Sequence, residues 1–236
     1  MPTATPTPSP AVIRGISSMA TRAVLAELVA AYARQGQAVS VEAVGGVDAA
    51  RRVQAGEAFD LVVLAADAID KLISAGAVRP GSRVDLVHSG VAAAVRTGAP
   101  LPDLGSEASV RQAVLDAPSI GYSTGPSGVQ LLQQFQRWGI ADALQGRLVQ
   151  APPGVPVAGL VARGEVALGF QQLSELLGVD GITVVGPLPP AIQITTTFSA
   201  GLCTASPRAA EVQALVSFLR SPAAAEVCRR HGMTPA

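Results

Sequence analysis

The stretch Ser119-Ile-Gly-Tyr-Ser-Thr-Gly-Pro-Ser-Gly128 carries the densest set of groups able to hold a ligand. Ser123, Thr124 and Ser127 supply hydroxyls, while Gly125 and Gly128 leave the backbone open to close approach. Residues 119–122 read as a short buried strand. Behind the loop, Val129, Leu131, Leu132, Phe135 and Trp138 recur at helical spacing. A strand that breaks into such a loop and then enters a helix aims hydroxyls and free N–H groups at one spot. The positive end of the helix dipole faces the same spot, which suits an anion. A plain N-capped helix would use the same residue types, because Ser and Thr are preferred caps. A second cluster is Gln171-Gln172, two amides at the end of an apolar strand that need partners if buried.

These groups stand at strand ends in a repeating pattern. A strand at 12–16 ends in Ser17-Ser18, and Val24, Leu25, Leu28, Val29 and Tyr32 mark a helix that closes near Gly36. A second strand at 39–44 runs into Gly45-Gly46-Val47-Asp48, with Asp48 expected to cap a helix over 49–55 and Gly56 to end it. Residues 61–65 form a near-continuous apolar strand of the parallel-sheet kind, after which Asp67 opens a helix that stops at Gly76. Strand–helix alternation of this kind predicts a doubly wound α/β domain. The longer strand 84–96 has no immediate helix and reads as a crossing into a second unit. That unit holds helices near 110–115 and 155–162 and strands at 167–171 and 182–185. The Thr-rich segment 192–203 reads as the return crossing, and helices at 209–219 and 223–231 finish the chain.

The expected fold is therefore two doubly wound α/β lobes joined by two crossover strands, with a ligand cleft between them that closes by hinge motion. Residues 1–11 read as a disordered Pro/Thr-rich lead-in, 12–86 plus 199–236 as the first lobe, and 87–198 as the second. Ligands in open α/β sheets sit beyond the carboxyl ends of the strands. Here those ends are hydroxyls, amides and glycines, which hold an anion by dipoles rather than by full countercharge.

Composition narrows the partners. Seventeen basic residues balance seventeen acidic ones, which argues against nucleic acid or an anionic membrane surface. No apolar run is long enough to span a bilayer. Two cysteines and two histidines exclude a disulfide scaffold and metal-ligand spacing, and Cys203 and Cys228 are read as unpaired. The absence of a Gly-x-x-x-x-Gly-Lys-Ser/Thr motif excludes a nucleotide-triphosphate cradle. No cofactor is expected. The first ten residues lack the features of a signal peptide, so either a leader has been removed or the protein is cytoplasmic.

Gly15-Ile-Ser-Ser-Met-Ala20, Asp60-Leu-Val-Val-Leu-Ala-Ala-Asp67, Leu168-Gly-Phe-Gln-Gln172 and Phe218-Leu-Arg-Ser-Pro-Ala-Ala224 resemble the periplasmic binding proteins of ABC transporters, in the molybdate-binding branch. The resemblance spans roughly residues 12–236 and implies a periplasmic, monomeric protein that captures a small anion for an ABC permease. Ser17 or Ser18 matches the family's oxyanion-binding serine. Gly45-Gly46-Val47 replaces its serine-rich turn, Gln172 stands where the family has a tyrosine, and Ser127 follows Pro126. Those departures favour an organic acid over molybdate. The ligand contacts this implies are Ser17, Ser18, Gly46, Val47, Ser89, Ser123, Thr124, Gly125, Ser127, Pro156, Gln171 and Gln172.

The segments Gly125-Pro-Ser-Gly128 and 164–175 are also similar to bacterial aconitate isomerase, an enzyme on this fold. Such an enzyme shifts a proton across an allylic tricarboxylate and needs a positioned base. The candidates are His88, Asp67 and Glu175, each with a bland alternative: a structural histidine, a helix cap, and a charge favouring a helix dipole. Arg96 and Arg163 could pair with ligand carboxylates, or lie on the surface.

Overall fold

The computed structural model describes residues 12–236, so the lead-in expected at 1–11 lies outside the described residues. The first half of the chain alternates as expected: β1 (Ile13–Ser18), a 3-10 turn (Met19–Thr21), α1 (Arg22–Ala33), β2 (Val39–Val44), α2 (Gly46–Gln54), β3 (Leu61–Ala65) and α3 (Ala66–Ser74). The long β4 (Val84–Arg96) follows. The second half holds α4 (Glu107–Asp116), β5 (Ile120–Tyr122), α5 (Pro126–Arg137), β6 (Leu148–Gln150), α6 (Val157–Ala162), β7 (Leu168–Gln172), α7 (Leu173–Leu176) and β8 (Ile182–Pro187). The chain then returns through β9 (Thr195–Leu202), α8 (Ala209–Leu219), α9 (Pro222–Arg230) and β10 (Met233–Pro235).

The two halves repeat one winding. The first orders its strands β2-β1-β3 and the second β6-β5-β7, all parallel, so each runs second strand, first strand, third strand. In each, the third strand then pairs antiparallel with a crossing strand, β3 with β9 and β7 with β4. The two crossing strands pair with each other. The winding direction reverses at β1 and at β5, and the crevice for a ligand opens beyond such a reversal. Ser18 and the 123–128 loop stand at those two places.

β4 serves both sheets. Residues Val84–Gly90 pair with β9, and Val91–Val95 pair with β7, so the handover falls between Gly90 and Val91. Among the described residues β9 pairs with β3 and β4 alone. By pairing, residues 87–90 and 195–198 go with the first sheet, whereas the sequence division at 86/87 and 198/199 puts them in the second lobe. The short β10 against Val87–Ser89 was not expected, because three residues after a helix carry no period-2 signal.

The apolar residues fill the core on both faces of each sheet. Ile13, Leu61, Val63, Val87, Phe198 and Leu215 pack on one face of the first sheet, and Ile16, Val62, Leu64 and Ile69 on the other. Val91, Ile120, Leu131, Phe135 and Phe170 make the main core of the second half. Both thiols are free and buried, and burial with nearby Asp60 pushes Cys203 up to about 12.

Two expected caps are displaced. α2 starts at Gly46 with Gly45 as its N-cap, so Asp48 lies inside the first turn and pairs with Arg51. α3 starts at Ala66 with Ala65 as cap, and Asp67 occupies its first turn. Acidic residues there favour the dipole without capping, which explains why composition alone suggested a cap.

Candidate functional site

At the end of β1 the alternation of a strand separates two neighbouring serines. Ser17 is fully buried, and its hydroxyl lies 3.4 Å from the Ser18 carbonyl and 3.5 Å from that of Glu42. The Ser18 hydroxyl is buried with no hydrogen-bond partner among the described residues. The Gly46 backbone comes close above it: a Cβ built on Gly46 would stand 3.6 Å from the Ser18 Cβ. Val47 is exposed beside it.

On the other half, the loop after β5 folds tightly onto the start of α5. A Cβ on Gly128 would lie 1.9 Å from the Ser123 carbonyl oxygen, so only glycine permits this turn. The turn brings the Ser123 and Ser127 hydroxyls to 3.2 Å from each other. Thr124 is half-buried next to them, and Gly125 is the N-cap of α5. Pro156 caps α6 in the same way after β6.

Among the described residues side-chain caps close two helix starts and leave the others, α2 and α5 among them, open. The Ser106 side chain caps α4 and the Ser221 side chain caps α9, each accepting from a backbone N–H. Neither α2 nor α5 has a side-chain cap, and both leave the carboxyl end of a parallel strand at the cleft. Uncapped first-turn N–H groups with the helix dipole behind them suit an oxyanion or a carboxylate.

β7 supplies the amides. The Gln171 Oε1 accepts from the Ala158 N–H at 3.1 Å, which leaves its Nε2 to donate to Glu175 Oε1 at 2.8 Å. The Gln172 Nε2 donates to Thr196 Oγ1 at 2.8 Å, and its Oε1 is buried without a partner. Among the described residues Ser89 Oγ is the third such buried atom. These three unpartnered atoms come from β1, β4 and β7.

Two contacts between the lobes bear on the site. Ser174 Oγ donates to the Ala20 carbonyl at 2.9 Å, which brings α7 against the turn following Ser18. A Cβ on Gly45 would lie 3.5 Å from the Gly154 nitrogen, so the turn after β2 faces the loop before α6.

The three acid–base candidates part company. Glu175 is partly buried between these elements, and burial pushes its carboxyl up to about 7, against the lowering effect of the Gln171 hydrogen bond. His88 points to the opposite face of β4 from Ser89, as neighbours on a strand do, and its Nδ1 lies 2.9 Å from Thr197 Oγ1. Asp67 has 60% of its side chain exposed and sits 3.5 Å from Lys71, a solvated pair. Arg96 is exposed, and Arg163 pairs with Glu165 on the surface. Thr196 and Ser174 escaped the sequence reading. One looked like part of a strand's Thr run and the other like a helix start, and only tertiary neighbours distinguish them.

A family model for bacterial extracellular solute-binding proteins matches residues 13–234, and the chain belongs to that family. Its architecture is the two-lobed periplasmic-binding-protein fold, of the molybdate-binding-like kind. The periplasmic molybdate-binding protein of Azotobacter vinelandii superposes with a TM-score of 0.79 at 20% identity, covering 94% of this chain and 98% of that one. An aconitate isomerase from a Pseudomonas species is 38% identical over 185 residues, 78% of this chain and 70% of that protein. The molybdate-binding protein ModA of Escherichia coli K12 is 28% identical over 109 residues, 46% of this chain and 42% of that one. Among the described residues no helix is long and apolar enough to cross a membrane.

Proposed function

We propose that this chain is an isomerase of the aconitate type, working outside the cytoplasm on a solute-binding scaffold. The observation that carries the reading is Glu175, a carboxyl raised to about 7 and oriented by Gln171, next in chain to the amides and hydroxyls of the cleft. A general base serves best when its pKa lies near the working pH. The 38% identity to an aconitate isomerase supports the same reading.

In this scheme the Glu175 carboxylate takes a proton from the allylic CH2 of a bound tricarboxylate. The electron pair left behind spreads over the allyl unit and its carboxylates. The same proton, held on Glu175, then returns to the far carbon of the allyl unit, so the double bond moves and no other reagent is consumed. Ser18, the Ser123–Ser127 pair and the uncapped N–H groups of α2 and α5 meet the developing negative charge with dipoles already in place.

A second reading, capture of a small anion for delivery to an ABC permease, is favoured by the neutral donors that otherwise line the site. The two separate in one experiment. The protein is incubated with cis-aconitate and, separately, with trans-aconitate, and each mixture is followed by proton NMR. Conversion of either isomer supports the isomerase. A melting-temperature rise with aconitate, citrate or molybdate and no conversion replaces it with the capture reading.

A further inference from the structure

Of the three buried side-chain atoms without a partner among the described residues, two, Ser89 Oγ and Gln172 Oε1, belong to residues that neighbour Thr196. Thr196 stands directly opposite Ser89 in the β4–β9 ladder, and its hydroxyl accepts from Gln172 Nε2 at 2.8 Å. Cβ atoms of residues opposed in this way are about 4.5–5.5 Å apart. Ser89 is fully buried, and Gln172 and Thr196 nearly so. Burying one hydroxyl donor and one amide oxygen side by side without partners is unfavourable unless something else satisfies them. Both belong to the crossing region, where the strands of the two lobes change over.

We propose that Ser89, Gln172 and Thr196 form a carboxyl-binding subsite at the lobe junction, with Thr196 as the positioning residue that seats the Gln172 amide. The subsite rests on the reading of the cleft as a site for an organic acid. The Ser89 hydroxyl donates to one carboxyl oxygen. A hydroxyl both donates and accepts, so Thr196 holds the amide either way round. An un-ionised carboxyl donates to Gln172 Oε1 as the amide is now seated. An ionised carboxylate selects the reverse seating, in which Thr196 donates to Oε1 and Nε2 turns inward to the ligand. A fixed acceptor at this position would repel a carboxylate; the Thr196 hydroxyl removes that conflict.

The test is a double-mutant cycle by calorimetric titration with trans-aconitate and, separately, with molybdate. Thr196→Val keeps the shape of the side chain and removes its hydroxyl. It is expected to weaken wild-type binding about tenfold while Thr196→Ser restores it. In a Gln172→Leu background, Thr196→Val is expected to add almost nothing, because Thr196 acts through the amide. Equal losses in both backgrounds, or a change in melting temperature with no change in affinity, make Thr196 structural and overturn the proposal. If molybdate binds with the coupling intact and aconitate does not bind, the residues recognise an oxyanion in place of a carboxyl, and the carboxyl-binding subsite and the isomerase reading both fall. If aconitate binds with additive losses, the subsite falls and the reading of the cleft as an organic-acid site stands. A wild-type protein that binds neither overturns both.

Discussion

At the scale of single residues, Glu175 has the most to explain, because its carboxyl is costly where it is. Its pKa stands at about 7 against an ordinary 4.5, so the folded state holds this proton more tightly than the unfolded chain does. The group's contribution to stability is therefore fully present below pH 4.5 and is lost as pH rises toward 7 and beyond. The full shift corresponds to on the order of 3 kcal/mol. Glu175→Gln, neutral at every pH, is expected to melt several degrees higher than the wild type at pH 8 and almost equally at pH 5. Thermal melts at the two pH values check this; a variant less stable at pH 8 would show that Glu175 is ionised and well partnered. The same variant is expected to bind aconitate yet lose isomerisation by at least a hundredfold. In the wild type the rate should rise with pH through about 7, as the base form appears. Glu175 was legible as a candidate through the similarity of 164–175 to an isomerase; its burial was not, since nothing local shows what packs over a four-residue helix.

At the scale of elements, the strand–loop–helix unit from β5 to α5 concentrates the binding groups. Its turn depends on Gly128, whose missing side chain leaves room for the Ser123 carbonyl. Gly128→Ala puts a methyl group against backbone, which cannot swing aside as a side-chain end can. It is expected to cost about 1–3 kcal/mol and to pull Ser123 away from Ser127, measurable as a lower melting temperature together with weaker ligand binding. Ser127→Ala tests the loop without disturbing it. Binding should weaken several-fold while the melting temperature of the free protein stays within a degree or two; unchanged affinity removes the loop from the site. The element itself was plain in the sequence, because the Ser/Thr/Gly run sits between a strand and an amphipathic helix. The exact helix starts were not. Asp48 and Asp67 look like caps, yet the observed caps stand three and two residues earlier, and the N–H groups at the α2 end have no side-chain cap.

At the scale of the whole molecule, two repeats of one winding face each other, and the crossing strands hold them together. The Ser174 hydroxyl on the Ala20 carbonyl is a contact between the lobes. Ser174→Ala removes it at little cost to either lobe. The free protein is then expected to populate more open forms, seen as a larger radius of gyration by small-angle scattering. Ligand affinity should fall a few-fold, because binding must now supply the closure. An unchanged radius and affinity would mean the contact contributes nothing to closing.

The sequence by itself determined the α/β class, the strand–helix order, the two crossings and the strand-end positions of Ser18 and Gln172. Those follow from periodicity, apolar runs and Gly or Ser punctuation, which are properties of neighbouring residues. Only the tertiary structure decided which of two adjacent serines has a free hydroxyl, that His88 meets Thr197, and that Thr196 joins Gln172 across 24 residues of chain. It also separated buried Glu175 from solvated Asp67. Two carboxylates of similar local sequence differ in chemistry because desolvation is set by what packs over them, and that packing comes from distant parts of the chain.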